Sequence, residues 1–133
     1  HAKDYVEMQW LMLQQSEPDD FVISTGKQIS VRRFIELTAQ ELGWGKINWE
    51  GKGVNEFGRR ADNNEIVIRI DPRYFRPTEV QTLLGDSSKA KEKLGWSSKI
   101  TVEELVSEMV KHDKKEAEKD SLLLKKGFEI KNH

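Results

Sequence analysis

The sequence predicts a small α/β domain of short strands and about five helices, forming one compact unit. Three observations predict it. Segments with apolar residues at helical spacing recur along the chain, and each is opened by a capping residue or closed by a glycine. Between them lie short runs in which apolar residues stand together or alternate with polar ones, the pattern of short strands. At 133 residues, 36% of them hydrophobic and 34% charged, the chain can bury a core yet fits one domain, residues 1–133.

The elements follow in order. From Asp4 to Gln15, Val6, Trp10 and Leu13 recur at helical spacing, and Met8, Leu11 and Met12 widen the apolar face. A helix this apolar needs cover on more than one side. Asp4 is placed to cap it or to sit in its first turn, where a negative charge meets the positive end of the dipole. Ser16 to Asp20, with Pro18 at its centre, breaks the helix. Phe21-Val22-Ile23-Ser24, bounded by that break and by Gly26, reads as a buried strand. Ser30 then caps a second helix whose Val31, Phe34, Ile35, Thr38 and Leu42 share a face, and Gly43 supplies the left-handed stop.

Ile47 and Trp49 alternate with Asn48 in a second strand, and Ile66, Ile68 and Ile70 alternate with Val67 and Arg69 in a third. Between them, residues 51–64 read as one long polar loop, which in a compact domain is either functional or mobile. Val80, Leu83 and Leu84 predict a short helix ended by Gly85. Asp86 caps another, Ser87 to Leu94, which Gly95 ends, leaving Trp96 to fold back on the core. Thr101-x-x-Glu104 is a capping box and the clearest helix start in the chain. That helix should run to about Lys119, with His112 on its surface and residues 120–133 as a frayed tail. The charge-rich run from Lys111 to Lys126, interrupted by Leu122 to Leu124, is either a solvated face or a docking segment for a partner.

Charge and composition exclude several classes of function. The 22 basic and 23 acidic residues nearly cancel, so no overall field favours nucleic acid or an anionic membrane. Without cysteine there is no disulfide, thiol catalysis or cysteine-based zinc site. No apolar run approaches the roughly 18 residues of a membrane span, and the cytoplasm is the default compartment. The start, His1-Ala2-Lys3-Asp4, enters a helical pattern without an initiator methionine, as expected of a piece cut from a longer chain.

Residues 71–80 carry the sharpest functional signal. Pro72 and Pro77 bracket Arg73, Tyr74, Phe75 and Arg76, and Glu79 follows. Each proline disfavours helix at the residue before it, so the loop is stiff and presents a guanidinium fork to phosphate or carboxylate. The alternative is that Tyr74 and Phe75 fill the core while the arginines are solvated; for Tyr74 the core is the expectation. In the long loop, Arg59 and Arg60 either reach an anion or belong to a solvated turn. Gly51-x-Gly53 imitates a dinucleotide-binding turn, but Glu56 stands where a third glycine belongs and no helix pattern follows.

Catalytic constellations are missing. Histidines at positions 1, 112 and 133 build no metal site, and neither Tyr5 nor Tyr74 has a lysine four residues on. By its own residues the chain binds a ligand and carries no catalytic group.

Several segments, in order along nearly the whole chain, resemble the C-terminal part of the GDP-mannose 4,6-dehydratase family of extended short-chain dehydrogenase/reductases. They are His-Ala-Lys-Asp-Tyr-Val (1–6), Phe-Val-Ile-Ser-Thr-Gly (21–26), Ser-Val-Arg (30–32), Tyr-Phe-Arg-Pro-Thr-Glu-Val (74–80), Leu-Leu-Gly-Asp (83–86), Lys-Ala-Lys-Glu-Lys-Leu-Gly-Trp (89–96) and Glu-Leu-Val-Ser-Glu-Met-Val (104–110). The resemblance implies a substrate-binding portion whose parent enzyme removes water from GDP-mannose, giving GDP-4-keto-6-deoxymannose on the route to GDP-fucose and related sugars. It also implies NADP in an N-terminal Rossmann domain that carries the catalytic residues and lies outside this chain, and a homo-oligomeric parent. None of the catalytic or NADP-binding residues is expected here.

On the family pattern, Arg76 matches an arginine that approaches the GDP moiety and Glu79 a carboxylate suited to the ribose hydroxyls. Arg59 is a further candidate contact, Tyr74 would either pack near the base or fill core, with core the expectation, and the aspartate of His-Ala-Lys-Asp is expected to cap its helix. Two other readings compete: the substrate domain of another nucleotide-sugar epimerase or reductase, and a non-catalytic association module.

Overall fold

A computed structural model describes residues 1–76 and 82–129. It contains helices α1 (Ala2–Leu13), α2 (Val31–Glu41), α3 (Ser88–Leu94) and α4 (Val102–Lys125), with strands β1 (Ile47–Glu50), β2 (Phe57–Arg60) and β3 (Ile66–Arg69). Four α-helices thus stand among the described residues, against about five expected. The helix expected from Val80 to Leu84 begins outside the described residues, and Thr82 to Leu84 are not helical.

The long polar loop is where the fold departs most from expectation. Residues 51–64 contain a short 3-10 helix, Gly53–Asn55, and the whole of β2. This strand lies in the middle of an antiparallel meander of order β1-β2-β3, with Ile47 opposite Arg60 and Glu50 opposite Phe57. Its sequence, Phe-Gly-Arg-Arg, shows no apolar alternation because Gly58 faces inward without a side chain. A Cβ there would lie 2.9 Å from both Ile47 Cγ2 and Ile68 Cδ1, so the neighbouring isoleucines fill the space. The register slips between Gly58 and Arg59 in the pairing with β3, where Val67 is the extra residue, a bulge that bends β3.

The expected strand Phe21 to Ser24 has no strand assignment. Its side chains still alternate. Phe21 and Ile23 pack on the core cluster of Met8, Ala90 and Trp96, while Val22 is half exposed. Pairing is what it lacks, since no other described strand lies beside it.

Helix α1 is held by part of its apolar face together with a polar edge. Met8 is fully buried and Leu11 and Met12 pack on the cluster, but Val6, Trp10 and Leu13 are 62%, 60% and 82% exposed. The N-cap is His1, whose Nδ1 accepts the Lys3 N–H at 3.1 Å. Asp4 sits in the first turn and does not cap its own helix. Its buried carboxylate accepts the backbone N–H groups of Lys99 and Ile100 at the entrance to α4.

The caps at Ser30 and Thr101 follow the sequence, whereas at α3 the N-cap is Ser87, without a side-chain bond of its own, and Asp86 acts from one residue further out. Ser30 Oγ accepts from Arg33 N–H, and Gly43 takes a positive φ after α2. Asp86 Oδ1 accepts the Ser88 N–H at 2.9 Å at the start of α3, and Gly95 ends it at φ 66°. Trp96 then returns to the core at 2% exposure. The Thr101–Glu104 capping box is present on both sides, and α4 continues beyond Lys119 through Lys125. Helix α2 packs on α4, and Leu37, Ala39, Ile47 and Val106 are buried. No helix among the described residues is long and apolar enough to cross a membrane.

Candidate functional site

The loop leaving β3 is built on Asp71. Pro72 fixes the next backbone angle, and the Tyr74 N–H closes the turn onto the Asp71 carbonyl at 3.1 Å. Asp71 Oδ1 also accepts the Arg73 backbone N–H at 2.9 Å, so the side chain reinforces the turn from outside. Arg73 folds back on the same carboxylate. Its Nε lies 3.2 and 3.1 Å from the two oxygens and its Nη2 lies 2.6 Å from Oδ2, a planar fork on a planar acceptor. The Arg73 guanidinium and backbone N–H hold the Asp71 carboxyl below the usual carboxylate range.

This arrangement sorts the loop's residues. Arg73 is held by Asp71 and lies 5.4 Å from the centroid of the Tyr74 ring. Tyr74 is 76% exposed, so the expectation that it fills the core is overturned. The turn that binds Asp71 to Arg73 directs the chain away from the apolar interior. Phe75 is partly exposed, and its ring reaches the 3-10 helix, lying 3.6 Å from where a Cβ on Gly53 would stand. Arg76 is exposed at the end of the described loop. Glu79, its expected companion, lies outside the described residues.

The arginines of β2 are engaged within the fold. Arg59 Nε lies 3.2 Å from Glu50 Oε1, its Nη1 donates to the Asn64 carbonyl at 3.2 Å, and its guanidinium lies 5.0 Å from the Phe57 ring centroid. Arg60 makes a two-point contact with Asp62, at 3.0 and 2.6 Å, and covers Trp44. Asp62 is held below its usual range chiefly by that guanidinium. Arg59 and Arg76 thus belong to different parts of the sheet, the middle strand and the exit from the last.

One network near the site escapes a reading of local pattern. Arg32 of α2 stacks over Trp49 at 4.9 Å and pairs with Glu56, while Trp49 Nε1 donates to Glu36. This network joins α2 to β1 and to the end of the 3-10 helix, across a separation no short motif spans. The Asp71–Arg73 pair had a local signal in Asp-Pro-Arg, with Asp and Pro at the first two positions of a turn.

Gly51 resolves the imitation of a dinucleotide turn. Its φ is +79°, and a Cβ would collide with the Asn55 backbone carbonyl, which places this glycine in the service of the local 3-10 turn. Elsewhere, an apolar cavity of about 300 Å³ lies between α2 and the sheet, lined by residues including Phe34, Leu42, Trp44 and Ile68. Among the described residues no cluster of acidic or histidine side chains is arranged to hold a metal ion.

Comparison with known proteins gives a consistent answer. The sequence profile of the family described as GDP-mannose 4,6 dehydratase matches residues 1–109. A GDP-mannose 4,6-dehydratase of Yersinia enterocolitica is 53% identical over 98% of this chain, which spans 37% of that relative. GDP-mannose 4,6 dehydratase 2 of Caenorhabditis elegans is 55% identical over 85% of the chain and 29% of the relative. The GDP-mannose 4,6 dehydratase of Homo sapiens is 51% identical over 85% of the chain and 30% of the relative. The chain therefore spans about a third of the length of the curated relatives it matches.

Proposed function

The chain belongs to the GDP-mannose 4,6-dehydratase family, and from that premise we propose that it is the portion of such an enzyme that holds the GDP moiety of GDP-mannose. The complete enzyme would convert GDP-mannose to GDP-4-keto-6-deoxymannose. This part would supply grip and orientation, and the chemistry would fall to residues outside it.

The observation that carries the reading is the Asp71 turn. It stiffens the loop and holds Arg73 on Asp71, and Arg76 stands exposed three residues beyond Arg73. Arg76 offers the diphosphate two parallel N–H groups, and Glu79 accepts hydrogen bonds from the ribose hydroxyls. Arg59, held on Glu50 and the Asn64 carbonyl in the middle strand, is a further candidate contact.

NADP belongs to the proposed parent, but the residues here do not fit it. The glycine pair Gly51-x-Gly53, which imitates a dinucleotide turn, leads into the 3-10 helix Gly53–Asn55, with Gly51 fixed by the approach of Asn55. An N-terminal Rossmann domain is the natural carrier of the cofactor. It would also cover the apolar stripe Val6–Trp10–Leu13 that α1 turns outward. A homo-oligomeric, cytoplasmic enzyme completes the reading.

Calorimetric titration of the chain with GDP and GDP-mannose tests it. Saturable binding that is lost in Arg76→Ala, with no turnover of GDP-mannose, is the expected result. Turnover by the 133-residue chain, or the absence of any GDP binding, would overturn it. Equal affinity for GDP, UDP and dTDP would favour a different nucleotide-sugar enzyme.

A further inference from the structure

Helix α4 continues past the part of the fold that holds it. Val106 is buried and Leu105 and Val110 are half-buried, but from Lys111 to Lys125 every residue is exposed except Glu116, Asp120 and Leu123, which are half-buried. This distal stretch is about 20 Å long at the usual helical rise. It lies beyond residue 109, where the family match ends. Its end is closed rather than frayed. Gly127 takes a φ of 80°, its N–H donates to the Leu124 carbonyl at 3.0 Å, and the Phe128 N–H donates to the Leu123 carbonyl at 3.1 Å.

The surface of this stretch is divided lengthwise. Val110, Ala117 and Leu124 recur every seven residues along one line, and Phe128 follows one turn beyond. Leu124 is 60% exposed and Phe128 59%. Asp113 and Asp120, each three residues after a member of the line, flank it on one side. Lys114, four after Val110, and Lys125, one after Leu124, flank it on the other. Elsewhere in the fold carboxylates hold cations: Glu7 pairs with Lys99, Asp19 with Lys89, Asp62 with Arg60 and Asp71 with Arg73. In the distal part of α4 the pair among the described residues is Lys119 with Glu116, which leaves Asp113, Lys114, Asp120 and Lys125 outside any ion pair there.

We propose that the distal half of α4 is an interface for a second copy of this chain, packed in parallel about a two-fold axis along the Val110–Ala117–Leu124 line. A parallel two-fold sets the acidic flank of one helix against the lysine flank of the other, twice by symmetry, with Asp113 facing Lys114 and Asp120 facing Lys125. An antiparallel pair would set like charges against like. The complement of each flank is thus the other flank of the same helix, and this identifies the occupant as a second copy. The small Ala117 lets the helices approach at the middle of the line, and Leu124 and Phe128 are covered at its end. The contact is narrow and charge-dependent, so it weakens with salt.

The chain contains no cysteine, so Leu124→Cys introduces a single thiol. Under mild oxidation Leu124→Cys should form a disulfide-linked dimer about tenfold or more faster than Lys115→Cys, whose side chain stands on the far side of α4. Two charge swaps are placed in the Leu124→Cys background, Asp113→Lys with Asp120→Lys in one chain and Lys114→Glu with Lys125→Glu in another. Each swapped chain alone should cross-link about tenfold more slowly, and mixing the two should restore the rate. Equal cross-linking of Leu124→Cys and Lys115→Cys would overturn the proposal. So would swapped chains that cross-link like the unswapped one, or that fail to recover on mixing. A dimer that survives both swaps but is lost in Trp10→Asp would place the second copy on α1 and overturn it as well.

Discussion

Asp4 Oδ2 accepts the backbone N–H of Ile100 at 3.2 Å, joining the first turn of α1 to the entrance of α4 across most of the sequence. Two neighbouring contacts lie along the same junction. Lys99 Nζ reaches both oxygens of Glu7, and His1 Nε2 lies 3.3 Å from Glu108 Oε2. His1 Nδ1 is an acceptor here, so a neutral imidazole carries its proton on Nε2, the nitrogen nearest Glu108. Helix α1 thus presents a polar edge to α4, which explains how it is held while its Trp10 stripe faces outward.

Replacing Asp4 by Ala should destabilise the chain by about 1–3 kcal/mol, because the Lys99 and Ile100 N–H groups lose their acceptor in a partly buried place. Lys99→Ala removes an exposed ion pair and should cost less than about 1 kcal/mol. Urea unfolding of the two variants checks the order. Equal costs would mean that Asp4 is simply a surface carboxylate.

Gly51→Ala should destabilise by about 1–3 kcal/mol, since the new Cβ meets a backbone carbonyl at a positive φ. Gly43→Ala, also at positive φ but with nothing within 4 Å, is the control that separates strain from collision. The larger fall in unfolding midpoint should belong to Gly51→Ala.

Asp19 supplies a pH dependence. Side-chain hydrogen bonds from Lys89 and then Lys93 hold its carboxyl far below the usual range. A depressed folded value means the pair stabilises above the ordinary carboxylate range, near pH 4, and that this contribution is lost as pH falls toward the folded value. The stability difference between wild type and Asp19→Asn should therefore be present at neutral pH and shrink progressively below about pH 4. Urea unfolding across that range measures it; a difference that grew on acidification would refute the assignment.

How much of this was legible depends on the range of each interaction. The caps at Ser30 and Thr101 were readable because capping is decided within a few residues. Strand β2 was not, because Phe-Gly-Arg-Arg owes its place to Ile47 and Ile68 on neighbouring strands. The segment Phe21–Ser24 fails in the opposite sense: its alternation is present, but a strand is completed by a partner. In the loop, the sequence identified the stiff arginine-bearing segment but could not divide its arginines, since only the folded turn shows that Asp71 holds Arg73. It misplaced Tyr74 for the same reason, as aromatic content alone does not distinguish a core plug from a ring held outward.

That division of the arginines yields the most direct prediction about the site. Arg59 lies in the middle strand on Glu50 and the Asn64 carbonyl, whereas Arg76 stands in the segment that the family pattern assigns to the GDP contact. Arg76→Ala should accordingly weaken GDP by about tenfold or more, the scale of a charge-assisted hydrogen bond, and Arg59→Ala by about threefold or less. Arg76→Lys keeps the charge but loses the planar fork, and should fall between wild type and Arg76→Ala. If Arg59→Ala proved the more damaging, the nucleotide would be gripped at the middle strand, and the Asp71 turn would be a structural device alone.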